Sequence, residues 1–178
     1  MKQVALLRGI NVGKGARVPM KTLKSLLERL GFTDVVTYLN SGNAVFSSPL
    51  AALELARSIE DELEHLFGER IPTLVKTAAE MAAIAESIPS EWSSSDREQT
   101  YVAYLFSDID RPGIVSELPV KKEFMNIFYT PGAIVWNIKR ENYNRSQITK
   151  IAGHSSYARM TTRNVNTARK LAALCAEG

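Results

Sequence analysis

The sequence predicts an α+β fold made of two ferredoxin-like lobes, each built on an antiparallel sheet and carrying extra helices. In the first half, runs with strand and helix periodicity alternate as β-α-β-β-α-β-α, the split βαβ plan plus one helix. The second half repeats this pattern in part, and the polar, Ser-rich stretch 89–99 separates the halves. We therefore expect lobes at residues 1–88 and 100–178, joined by a linker at 89–99.

The first lobe opens with a short buried strand over residues 4–7. A Gly-rich loop leads from this strand to a helix. The helix is expected to begin at Pro19, because proline is common at the first helical position, and to end at Gly31, a typical glycine C-cap. Two short β-rich runs on either side of residues 40–43 predict a hairpin.

The remainder of this lobe is predicted to be a helix, a strand and a second helix. Ser48, followed by proline, favours a helix start there. Helical spacing then predicts an inward face made of Leu53, Ala56, Leu63, Leu66 and Phe67. A strand is expected over 71–76, and the residues 77–80 form a capping box for the helix that follows.

The second lobe is predicted to start with a strand over 101–106. Pro131-Gly132 is typical of a type II turn, so the β-rich runs around it predict another hairpin. A helix is expected over 143–152, and a last helix is expected to be capped by Thr162 or Asn164.

Composition restricts the class of protein. The single cysteine, Cys175, excludes an internal disulfide, and no apolar run approaches the roughly 20 residues of a membrane span. We therefore expect a cytoplasmic protein that does not associate with membranes. No paired metal-ligand spacing or nucleophile elbow is present, so we predict no catalytic residues, no metal site and no cofactor.

The charges are unevenly distributed, although the net charge is only +3. Residues 1–46 carry a net charge of +5, residues 47–120 of −9 and residues 121–170 of +8. Two basic segments on either side of an acidic one permit binding of phosphates or nucleic acid. The alternative explanation is that these charges lie on helix faces in contact with solvent. The small net charge is compatible with this alternative.

Polar and basic residues cluster where the predicted strands end. The first and second strands of a split βαβ unit run in the same direction, so their ends at Arg8 and Asn40 should meet at one edge, where the first helix begins. Such a helix N-terminus favours an anion, and glycines let the backbone approach it. We predict a phosphate- or carboxylate-binding edge with Arg8 as its main charge. The predicted ligand-binding residues are Arg8, Asn11, Lys14, Arg17, Asn40, Ser41, Asn43, Arg163 and Asn164.

Motifs near both ends of the chain resemble the bacterial domain-of-unknown-function 1697 family. The similar residues are 4–13, 18–20, 30–32, 38–43 and 46 at the start, and 161–164, 166–167 and 170–171 at the end. The chain departs from the family pattern at Lys14, one position earlier than the usual basic residue, and at Val165, where an aromatic residue is common. The resemblance spans nearly the whole chain and implies a soluble α+β protein without an established activity.

Three functions remain open. The first is a non-enzymatic module that binds nucleic acid or a phosphorylated small molecule through the basic Gly-rich loop. The second is an enzyme acting on a nucleotide or phosphometabolite, with Arg8 and Lys14 as electrostatic groups. The third is a protein-interaction adaptor that uses the second lobe. The asparagines also have a purely structural alternative, because Asn stabilises turns. The oligomeric state is left undetermined by the sequence.

Overall fold

A computed structural model describes residues 1–177, which contain two four-stranded antiparallel sheets and six α-helices. The predicted α+β class with two split βαβ units is confirmed. The chain divides into two compact units: the first comprises Met1–Ala82 and the chain from Leu171 onward, and the second comprises Ala83–Lys170. The lobe limits inferred from the sequence, with a linker at 89–99, stay a prediction.

The two sheets have the same topology. In the first sheet the order is β2-β3-β1-β4, and in the second it is β6-β7-β5-β8, which is the same order when β5 is matched with β1. The strands are β1 (Lys2–Leu7), β2 (Thr33–Thr37), β3 (Asn43–Ser47), β4 (Thr73–Thr77), β5 (Glu98–Leu105), β6 (Asn126–Thr130), β7 (Ala133–Lys139) and β8 (Met160–Asn164). The repeat suggested by the element order is therefore present in the strand topology.

The helices of the two units differ in length. The α-helices are α1 (Met20–Arg29), α2 (Ala52–Phe67), α3 (Ala78–Ser87), α4 (Ile114–Glu117), α5 (Tyr143–Ser146) and α6 (Val165–Ala176). Five 3-10 turns lie in the second unit, at Ser107–Ile109, Lys122–Phe124, Arg140–Asn142, Ile148–Gly153 and Ser155–Arg159. The connections between the strands of the second unit are thus mostly short turns.

The core of the first unit lies between one face of its sheet and helices α1 and α2. The sheet contributes Ala5, Leu7 and Phe46, and Phe46 stacks on Phe32 with ring centroids 4.7 Å apart. The helices contribute Leu23, Leu26, Leu27, Leu55, Ile59 and Leu63, all without solvent exposure. Full burial of such side chains stabilises by about 1.5–3 kcal/mol each.

The predicted inward face of α2 is partly wrong. Leu63 is buried, but Leu53 and Leu66 are 64% and 42% exposed, and Leu55 and Ile59 face the core instead. The helix also begins at Ala52, later than the sequence predicts, because residues 48–50 are bound to the sheet. The Gln3 side-chain amide donates to the Leu50 carbonyl at 2.9 Å, which holds this segment out of the helix.

The predicted helix over 143–152 is also wrong beyond its first turn. Gln147 adopts a left-handed conformation with φ 57°, which ends α5. The Ser146 hydroxyl donates to the Tyr143 carbonyl at 2.6 Å and accepts from the Ile148 amide at 3.3 Å, so it competes with the helical pattern. Two β-branched isoleucines at 148 and 151 further lower helix propensity.

Each sheet ends in a strand that runs directly into a capped helix. Between β4 and α3 the predicted capping box is confirmed, because the Thr77 amide donates to the Glu80 carboxylate at 2.8 Å and the Glu80 amide to the Thr77 hydroxyl at 3.2 Å. Between β8 and α6, the Asn164 side-chain oxygen accepts from the Thr167 amide at 2.9 Å. The same device therefore occupies the same place in both units.

Candidate functional site

In the first unit, strands β1 and β2 end at one edge of the sheet, as the sequence predicts. Strands β1 and β2 each pair antiparallel with β3, which lies between them, so they run in the same direction and end at the same side of the sheet. The Leu7 amide, at the end of β1, donates to the Gly42 carbonyl at 2.8 Å. The end of β1 and the hairpin after β2 are thus in direct contact, as the split βαβ plan requires.

Asn11 connects the Gly-rich loop to the hairpin. Its side-chain amide donates to the Asn40 carbonyl at 2.6 Å and to the Val18 carbonyl at 2.9 Å, while its side-chain oxygen accepts from the Val18 amide at 2.8 Å. These bonds occupy both ends of the amide, and the residue adopts a left-handed conformation with φ 57°. Asn11 therefore shapes the site by bracing two loops.

Two glycines make this arrangement sterically possible. A Cβ at Gly15 would lie 2.0 Å from the Gly9 carbonyl oxygen, far closer than any side chain can approach. A Cβ at Gly42 would lie 2.6 Å from the Leu7 Cβ, and Gly42 has a φ of 88°. The loop thus closes on itself and the hairpin packs on β1 only because these positions lack side chains.

The hairpin residues are placed unequally. Asn40 is exposed and Ser41 is half-buried, whereas Asn43 is fully buried. The Asn43 side chain donates to the Tyr38 carbonyl at 2.9 Å and to the Ser41 hydroxyl at 2.8 Å. Asn43 therefore holds the turn together, and only the first two residues present polar atoms toward solvent.

The basic residues surround this braced pair of loops. Arg8 is half-buried, and its amide donates to the Pro72 carbonyl at 2.9 Å. Lys14 and Arg17 are exposed, and the Arg17 guanidinium donates to the Gly13 carbonyl at 3.0 Å. Within residues 1–177, Lys14 takes part in no hydrogen bond or ion pair. Lys14 and Arg17 therefore bring two exposed charges to the same loop.

Helix α1 begins beside this loop. The Asn11 bonds to Val18 fix the backbone just before Pro19, which is the N-cap residue of α1. The N-cap makes no side-chain hydrogen bond, and the first turn contains no acidic residue. The positive end of the helix dipole is therefore not offset by a carboxylate of its own first turn.

Arg163 and Asn164 belong to the second unit. Arg163 lies on β8 and is 7% exposed, and its guanidinium donates to the Thr161 hydroxyl at 2.8 Å and to the Thr162 carbonyl at 3.0 Å. Burial lowers the pKa of Arg163 to about 10, while Tyr104 acts in the opposite direction, so the side chain keeps its charge at neutral pH. Asn164 caps α6, which gives it a structural role. That either residue completes the first-unit site stays a prediction.

The comparisons with known proteins agree with this fold. A family described as protein of unknown function, DUF1697, matches residues 1–136. The chain belongs to this family. A conserved bacterial protein from Streptococcus pneumoniae has a similar solved structure, with a TM-score of 0.82 and 24% identity over 98% of both chains. At this identity the likeness to the pneumococcal protein establishes the fold alone. No curated protein matches the chain.

The family match confirms the resemblance to this family and covers the motifs at the start of the chain, whereas the motifs at 161–171 lie beyond the matched residues. The structure explains several of the motif residues at the start. Asn11 and Gly42 are needed to form the loop and the hairpin, as the contacts above show, and Gly9 has a left-handed φ of 72°. None of the helices in residues 1–177 combines the length and apolar composition needed to span a bilayer. In the same residues, no three His, Cys, Asp or Glu side chains gather as a metal site would require.

Sequence reasoning missed one concave feature in the second unit. Tyr101, Trp136 and Tyr143 line a cavity of about 370 Å³. Their aromatic character was visible in the sequence, but we placed them only within predicted strands and a predicted helix. The available signal was local: Ser146 and the β-branched residues after it oppose a continuous helix over the sheet.

Proposed function

We propose that the protein is a non-enzymatic module that binds phosphate groups, carried by nucleic acid or by a phosphorylated small molecule, at the edge where β1 and β2 end. The observation that carries this proposal is the 2.6 Å hydrogen bond from the Asn11 side chain to the Asn40 carbonyl. It holds the Gly-rich loop against the hairpin and so brings basic residues of the loop and polar residues of the turn to one edge.

Electrostatics supports an anionic ligand over a neutral one. Lys14 and Arg17 are exposed on the loop, and Arg8 stands at the strand end. Arginine binds phosphate oxygens through a planar fork, and lysine does so as a point charge. The uncapped N-terminus of α1 adds backbone N–H donors and a positive partial charge. Lys14 and Arg17 are the exposed charges of the loop, so we assign them the main ligand contacts, with Arg8 and Ser41 beside them at the same edge.

The test removes the two exposed charges and measures binding. Fluorescence anisotropy with labelled single-stranded RNA and duplex DNA, and calorimetry with AMP and inorganic phosphate, should detect binding to the native protein at low ionic strength. We expect the double variant Lys14→Gln/Arg17→Gln to lose most of this affinity. The slope of log affinity against log salt for nucleic acid should fall by about two, one for each phosphate contact.

The matched control is Lys121→Gln/Lys122→Gln, which removes two exposed charges from the second unit. It should bind as the native protein does. Equal losses in the two double variants would show a nonspecific effect of net charge, and no binding of any probe would refute the proposal. If the protein binds RNA or DNA but not AMP, the ligand is nucleic acid. If it binds only AMP and phosphate, the ligand is a phosphorylated small molecule.

A further inference from the structure

The cavity of the second unit lies on the same side of the sheet as its hydrophobic core. Tyr101 and Trp136 form its floor: they are directly opposed on β5 and β7, and their ring centroids are 6.1 Å apart. Tyr143 and Tyr157, from α5 and the last 3-10 turn, stand at its walls. Four aromatic side chains therefore line an open cavity of about 370 Å³.

The cavity exists because a helix is missing. In the first unit, the connection between β3 and β4 is the long helix α2, whose Leu55, Ile59 and Leu63 fill the space over the sheet. In the second unit, the connection between β7 and β8 is split into α5 and 3-10 turns. Ile148 and Ile151 from these turns reach the core, but the cover they form is incomplete.

The lining is uncharged but not entirely apolar. No acidic or basic residue contributes to the wall among residues 1–177. Gln99, Thr149 and Thr162 supply polar groups at the rim. Within the described residues, the hydroxyls of Tyr101 and Tyr143 make no hydrogen bond, so both can bond to a ligand. Aromatic walls with a few polar groups are the usual composition of small-molecule sites.

We propose that this cavity is a second binding site of the protein, and that it takes a small, uncharged, planar ring compound with hydrogen-bonding groups at its edge. Planar rings pack on aromatic side chains either by stacking or edge to face. The aromatic lining therefore favours a flat ligand over a branched aliphatic one. A charged ligand would lose hydration without meeting an opposite charge.

The volume indicates a small ligand. Small-molecule sites usually measure about 300–1,000 Å³, so this cavity is at the lower end and fits one ring or two fused rings. The site is distinct from the phosphate-binding edge of the first unit, and neither proposal depends on the other.

Tryptophan fluorescence tests the proposal directly. The chain has two tryptophans, and Trp92→Phe leaves Trp136, in the cavity floor, as the sole reporter. Adenine and nicotinamide are the uncharged probes, and nicotinate is the anionic counterpart of nicotinamide. We expect saturable quenching by at least one uncharged probe, and weaker binding of nicotinate than of nicotinamide.

Two blocking variants and one control locate the binding. Ala152→Phe and Thr149→Phe place a ring at two exposed positions of the cavity wall, whereas Ala158→Phe does the same at an exposed position outside it. The blocking variants should each weaken binding by about tenfold or more, equivalent to 1.4 kcal/mol, and the control should leave it unchanged. Thermal melts establish that each variant is folded.

The proposal is overturned if no uncharged probe quenches Trp136 up to its solubility limit, or if all three phenylalanine variants bind equally. Nicotinate binding as tightly as nicotinamide would likewise contradict an uncharged ligand.

Discussion

The two units of the molecule share one strand order but differ in what covers the core face of each sheet. In the first unit, α1 and α2 cover that face with fully buried leucine and isoleucine side chains. In the second, the corresponding connections contain only α4, α5 and 3-10 turns, and a cavity remains. Strand pairing therefore sets the topology, while helix length decides whether the core is closed.

The largest expected loss of stability concerns helix α2 of the first unit. Leu63→Ala truncates a fully buried side chain of α2, so we expect the free energy of unfolding to fall by about 2–5 kcal/mol. Leu66→Ala changes an exposed leucine on the same helix and should cost less than about 0.5 kcal/mol. Urea denaturation measures both values, and equal losses would contradict the observed orientation of α2.

A smaller effect is expected for the corresponding change in the second unit. Ile148 is 6% exposed and borders the cavity, so Ile148→Ala removes fewer close contacts than Leu63→Ala does. We expect a cost of about 2 kcal/mol, the low end of the range for such truncations. A cost as large as that of Leu63→Ala in the same denaturation experiment would show that the core around Ile148 is as tightly packed as that of the first unit.

The smallest expected effect concerns what the units have in common. Thr77→Ala and Asn164→Ala each remove the cap of the helix that follows the last strand, at a typical cost of about 1 kcal/mol. Thr77→Ser and Asn164→Asp, which keep a capping oxygen, should restore most of the loss. Thermal unfolding compares the four variants, and a difference of more than about twofold between the two losses would show that the caps are not equivalent.

The sequence predicted the fold where local signals and packing agree. The hairpins at 40–43 and 130–133 and the capping box at Thr77 are set by residues adjacent in the chain, and all are present. The predicted α2 face was wrong at Leu53 and Leu66, which have helical spacing but are exposed. The position of the sheet instead selects Leu55 and Ile59 for the core. Periodicity alone cannot choose between two apolar faces of one helix.

At the candidate site, the meeting of the two strand ends was predictable from the sequence, but the contacts of individual side chains were not. The split βαβ plan placed the ends of β1 and β2 at one edge, and the contact between Asn11 and Asn40 is there. The sequence could not show that the Asn11 and Asn43 side chains form hydrogen bonds within the loop and the hairpin, because those contacts depend on the turn geometry. The cavity was missed because it results from a helix that does not form.

The direct junction of strand and helix has a consequence for local opening of the chain. Thr77 pairs with Gln3 in the sheet and also caps α3, and Asn164 pairs with Tyr101 and caps α6. No intervening residues can absorb a movement at either junction, so fraying of β4 or β8 also uncaps the following helix. Solvent exchange of the backbone amides at these two sheet edges is thereby coupled to that of the first turns of α3 and α6.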